Sequence, residues 1–205
     1  MKNSLTLIVL MIFSLSSNLK ADQPLPPYVP QKTVVAILPV IDATGGKDPN
    51  IKAVSNAQTS LKEQFSRSGF VIAQSADVNS AINHLKIDMT DEEQQKRDTL
   101  YKVGSGVKAN LVVFVVVTNT DQREVEHLFS TSREGQAKIK IWLLDVNNQY
   151  AWLSAKSCEG KDKGRFYAEH SGSDLAARAV GNAVENGLKD FLKPYHATDV
   201  KGDKK

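Results

Sequence analysis

The side-chain types of a hydrolase stand together at one place in this chain, His170-Ser171-Gly172-Ser173-Asp174. A nucleophilic triad needs serine, histidine and carboxylate hydrogen-bonded in turn across space, and neighbours in sequence cannot adopt that geometry. Ser173 and Asp174 suit a helix start instead, where a side-chain oxygen accepts from a free backbone N–H. Gly45-Gly46-Lys47 follows a predicted strand, as a phosphate loop does. That loop needs a glycine five residues before its Gly-Lys pair and a hydroxyl after it. Here Ile41 stands at the first place and Asp48 at the second, so nucleotide binding is not expected. Gly104-Ser105-Gly106 reads as the end of a helix rather than its beginning. His84, His127 and His196 are scattered, without metal-ligand spacing to Asp, Glu or Cys. No catalytic, cofactor-binding or metal-binding residue is assigned, no cofactor is expected, and the chain reads as non-enzymatic, with a hydrolase as the competing class.

Aromatic residues are the other source of function. In residues 137–146 Ile139, Ile141 and Leu143 alternate with Lys138, Lys140 and Trp142, the pattern of a strand with one wet face. Asn147-Asn148 fits a tight turn returning along residues 150–158, so Trp152 joins Trp142 if the hairpin register places them on one side. Lys138, Lys140, Trp142, Trp152 and Lys156 then form a candidate interaction surface, because aromatic side chains carry much of the energy of protein interfaces. The competing reading buries both tryptophans under the final helix, and it is the one expected, since that helix's apolar stripe needs a sheet face.

The elements that must position these residues follow a leader. Met1-Lys2-Asn3 is a charged start, and residues 5–15 form an apolar run. About 11 residues are too few for the roughly 20 that span a bilayer as a helix. With a small residue at Ala21, this describes a secretory signal peptide over residues 1–21. No cysteine lies near its end, so lipid attachment is not expected. Cleavage removes Lys2 and Lys20 from 26 basic residues set against 23 acidic ones, leaving a net charge near +1. A nucleic-acid binder needs a basic surplus, and none is present. Cys158 is the single cysteine, so the core must stand without an internal disulfide.

Residues 22–32 hold four of the seven prolines and read as a linker. Residues 33–41 (TVVAILPVI) form a strand buried on both faces, with Pro39 where it ends or loses its neighbour. Asp48-Pro49 opens a helix to about Arg67, stopped by Gly69. A short strand at residues 70–73 follows. Ser75 caps a second helix, and Thr90 with Glu93 forms a capping box for a third. Residues 111–118 (LVVFVVVT) are the most buried strand, and residues 125–129 a modest one. After a polar loop over residues 159–172, Ala176, Val180, Ala183, Val184, Leu188 and Phe191 mark the buried stripe of a final helix. The fold class is α/β, a single domain over residues 33–193 with a mixed central sheet covered by helices. Residues 194–205 form a polar tail.

The order of these pieces resembles the CsgG-like and TolB N-terminal-domain-like family of bacterial envelope proteins. The segments that carry the resemblance are VAILPVID, SGFVIAQSADV, KVGSGVKANLVVFVVVT and KIKIWLLDVNNQYAWLSAKSCEG. It implies a TolB N-terminal-domain-like fold and envelope work in channels, lipoprotein activators or larger assemblies. The lipid-bearing cysteine of the lipoproteins is missing. Channel hairpins would be inserted at about residues 119–135 and 159–172, segments too short and too charged for membrane strands. The expectation is an exported, periplasmic or secreted protein that binds another envelope protein or itself, without membrane insertion once the leader is gone. A ring-forming subunit of a CsgG-like assembly is the alternative, and its mass in solution would separate the two.

Overall fold

The computed structural model describes residues 28–45, 50–127, 130–148, 152–164 and 172–195. Strands β1 (Val34–Ile37), β2 (Ile41–Asp42), β3 (Val71–Ile72), β4 (Leu111–His127), β5 (Ser130–Asp145) and β6 (Trp152–Gly164) form one sheet. Helices α1 (Ile51–Arg67), α2 (Ser75–His84), α3 (Arg97–Gly106) and α4 (Gly172–Leu192) cover it, giving a single α/β domain. Strand order is β3-β1-β4-β5-β6, with β2 also on β4. β1 lies parallel to β3 and β4, while β4, β5 and β6 are antiparallel.

The apolar run of β4 explains its central place. Residues 111–117 are buried throughout, which only a strand covered on both faces allows. Leu111, Val113, Val115 and Val117 enter a core with α1 and α4, and Val112, Phe114 and Val116 one with α2 and α3. Pro39 sits in the break between β1 and β2, where no ladder bond needs its missing N–H.

Local signals hold at some ends and fail at others. Asn50 caps α1, its side chain accepting from the Ala53 N–H at 3.1 Å, and Gly69 closes that helix at φ +80°. Asp48 and Pro49 lie outside the described residues. Ser75 is not a cap: it is the first residue of α2, and Gln74 before it makes no side-chain cap bond. Thr90 and Glu93 do not form a capping box. The Thr90 hydroxyl donates to Asp88 at 2.6 Å, and the Glu93 N–H to Asp91 at 2.9 Å. Nearby aspartates win these donors by local turns, Glu92–Gln94 is a single 3₁₀ turn, and α3 begins only at Arg97.

The largest difference is in the polar segments. β4 and β5 run on as a ribbon from Asn119↔Lys138 to His127↔Ser130, after a register shift at Val117/Asn119. β6 continues through the segment read as a loop and pairs Gly164 with Arg133. Asn119, Asp121 and Arg123 point to one side of this ribbon and Thr120, Gln122 and Glu124 to the other, so neither side has a membrane strand's apolar alternation.

α4 crosses β5 and β6 at close range. A Cβ on Gly135 would strike the backbone of Leu175, and one on Gly160 the Ala179 carbonyl and Ala183 amide. Tyr28–Lys32, in the segment read as linker, and Tyr195, in the segment read as tail, rest on the domain. Tyr28 and Tyr195 pack against the α1/α4 core.

Candidate functional site

Strand parity separates the candidate residues. Lys138, Lys140 and Trp142 turn away from Ile139, Ile141 and Leu143, as the alternation requires. The final helix does not cover them. α4 packs on the Ile139–Leu143 side instead, because that side is continuously apolar and has glycines where a helix backbone can touch. Among the described elements the Trp142 side meets α2 and α3, which cover mainly the β1–β4 half of the sheet, with α3 reaching the Leu144 end of β5. Trp142 is therefore half-buried, stacked on Phe114 at a ring separation of 5.4 Å and 22°. Trp152, paired with Leu144 across β5–β6, is also half-buried against the same core, diagonal to Trp142 and beside the start of α3 at Lys96, Arg97 and Asp98.

Lys156 does not belong to this surface. It pairs with Ile141 and so faces α4, its Nζ 3.2 Å from Asp190. Sequence placed it with the tryptophans because the register shift at Leu143/Leu144, which moves Trp152 relative to Lys156, left no mark in the residue pattern.

Beyond Trp142 the open face is polar and ordered by ion pairs. Lys138 meets Glu159 across strands at 3.0 Å, and Glu134 takes Arg123 at 3.2 Å and Lys163 at 2.8 Å. The stems of those two cations leave Glu134 8% exposed although it lies on the surface of the sheet. Its hydrogen bonds to Lys163 and then Arg123 hold its carboxyl below the usual value, and the bond from Lys138 does the same for Glu159. Lys140, Ala155, Ser157 and Lys161 are exposed beside them. Arg123, Lys138, Lys140, Lys161 and Lys163 outnumber Asp121, Glu134 and Glu159 on this face.

Sequence reasoning missed the Arg123–Glu134–Lys163 row, whose only signal is charge alternating with period two. It also missed Asn182 and Asn186. One turn apart on α4, they donate to the outward carbonyls of Lys161 at 2.8 Å and Glu159 at 3.0 Å on β6, the edge strand.

The other residues considered for chemistry stay apart. His84 ends α2 beside a shallow groove of about 460 Å³ between α2 and α3, and Cys158 is buried beneath α4, burial pushing its thiol up. His170, Ser171, Gly46 and Lys47 lie outside the described residues. Among the described residues, no group of His, Cys, Asp and Glu is arranged to hold a metal, and no helix is long and apolar enough to cross a membrane.

The chain matches no protein-family model and none of the curated proteins. Several solved structures are similar to it at low identity. Lipoprotein GNA1162 from Neisseria meningitidis is 16% identical with a TM-score of 0.49, over 77% of this chain and 99% of that one. The hypothetical protein CT253 from Chlamydia trachomatis is 13% identical with a TM-score of 0.46, over 81% and 98%. LpoB from E. coli is 12% identical with a TM-score of 0.44, over 80% and 84%. None of these three is named as CsgG-like or TolB-like.

Proposed function

We propose that this is an exported envelope protein that acts without catalysis, binding another envelope protein through the open sheet face that carries Trp142, Trp152, Lys138 and Lys140. Its kinship is the CsgG-like and TolB N-terminal-domain-like one, and its place the periplasm or the exterior. The observation behind the reading is the unequal cover of the sheet. One face is closed by α1 and α4, and the other leaves two diagonal, half-buried tryptophans at the border of a basic-leaning, ion-paired surface. Such a border supplies an aromatic anchor inside a polar rim, and its charge suits a partner with an acidic patch.

A pull-down from envelope extract tests this with three baits: the unchanged chain, Trp142→Ala with Lys140→Glu, and Lys156→Glu on the opposite face. The expected result is one protein held by the first and third baits and lost with the second, all three baits remaining folded. Equal capture by the first and second would remove this face from consideration.

A further inference from the structure

The N-terminal arm and the β5–β6 connection share one buried carboxylate. Asp145 is 3% exposed. Its Oδ2 accepts the Tyr28 phenol at 2.8 Å, and its Oδ1 accepts the Asn147 N–H at 2.9 Å and the Asn148 N–H at 3.2 Å. The two amides open the turn out of β5. Asp145 stands next to Leu144, the residue paired with Trp152, so the turn is continuous with the ladder that carries that tryptophan.

Tyr28 is held from its other end as well. Its backbone N–H donates to the Tyr195 hydroxyl at 3.1 Å, and its ring lies 6.0 Å from Phe191. Phe191 and Tyr195 in turn meet Phe70 at 6.1 and 5.1 Å. Burial first, and then the bond to Asp145, push the phenol well above the ordinary tyrosine value. The prolines at 24, 26 and 27 precede this point. The Tyr28 side chain thus reaches across the domain to a turn more than a hundred residues away in sequence.

We propose that Tyr28 is a clasp coupling the N-terminal arm to the β5–β6 turn, so that displacing the arm loosens the turn and the Trp152 end of β6. With the phenol in place, Asp145 has donors on both oxygens. With the arm displaced, Oδ2 is a buried carboxylate oxygen without a donor, a costly state. The side chain then swings toward water and withdraws Oδ1 from the Asn147 and Asn148 amides. The coupling is independent of whether the Trp142 face binds a partner.

Amide hydrogen exchange on the full chain, unchanged and as Tyr28→Phe, tests it. This substitution keeps the ring and removes only the hydroxyl. Exchange at Asn147 and Asn148 is expected to accelerate at least about tenfold while the β4 amides of residues 113–117 keep their rates. In a Trp142→Phe background, acrylamide quenching of the single remaining tryptophan, Trp152, rises with it. Tyr195→Phe, which removes the acceptor of the Tyr28 N–H, should move both readouts in the same direction by less, and it serves if Tyr28→Phe does not fold. Unchanged exchange at Asn147 and Asn148 would overturn the proposal. So would acceleration of the β4 amides in step with them, because that is global destabilisation rather than coupling.

Discussion

Ile141 and Trp142 are neighbours on β5, and they have opposite surroundings. Ile141 is wholly buried under α4, in a core continuous from β1 to Cys158 of β6. Trp142, one residue on, stacks on Phe114 and keeps an open side. The same strands build both faces, so the difference lies in their covers. A 21-residue helix closes one face of these strands, and of the two 10-residue helices on the other only α3 reaches β5, at its Leu144 end, which leaves the rest of that face open. The lesson is that a tryptophan on a strand is core or contact according to which helix the sheet's other side can accommodate.

Substitutions sharpen that contrast. Ile141→Ala removes a fully enclosed side chain and should cost about 2–5 kcal/mol, read as a denaturant midpoint. Gly160→Ala sets a methyl group against the α4 backbone and should cost about 1–3 kcal/mol by overpacking. A neutral result there would mean that α4 does not press on the sheet. Trp142→Ala should cost about 1–2 kcal/mol, the share of one ring stack and partial burial. A loss equal to that of Ile141→Ala would show the face to be closed and end its candidacy as a surface.

The smallest effect concerns acid. The folded Glu134 carboxyl lies below the usual glutamate value of 4.5, so its ion pairs add stability above that value. The contribution disappears as the pH falls through the lowered one. Thermal midpoints of the unchanged chain and Glu134→Gln should therefore differ at about pH 6 and draw together as the pH falls below 4.5. A gap that persisted in acid would assign the stabilisation to packing of the Arg123 and Lys163 stems instead.

Much of the domain could be read in the sequence because burial writes a period. The run at residues 111–117 announced a strand covered on both faces, the alternation at residues 138–143 announced two sides, and the α4 stripe announced a buried helix. What escaped was polar. Residues 119–124 carry no element signal in the sequence and residues 159–164 read as a loop, because cross-strand pairing of Glu134 with Arg123 and Lys163 carries no hydrophobic signature. The side that α4 chose was hidden for a related reason. Gly135 and Gly160 decide it by allowing backbone to approach backbone, and in the sequence a glycine reads first as a turn. For the candidate surface, parity placed Lys138, Lys140 and Trp142 together, but the register shift that places Trp152 with them and excludes Lys156 depends on a backbone irregularity no side chain encodes.

Asn182 and Asn186 have a consequence beyond local hydrogen bonding. β6 is a 13-residue edge, and an unpaired edge of that length is a template onto which another chain can add. By occupying two of its outward carbonyls, α4 prevents the sheet from being extended there. Among the described elements α4 follows the strands in chain order, so a chain growing from its N-terminus carries that edge open until α4 has been made. A lesion that keeps α4 from docking would therefore appear first as lost solubility, because it bares the β6 edge.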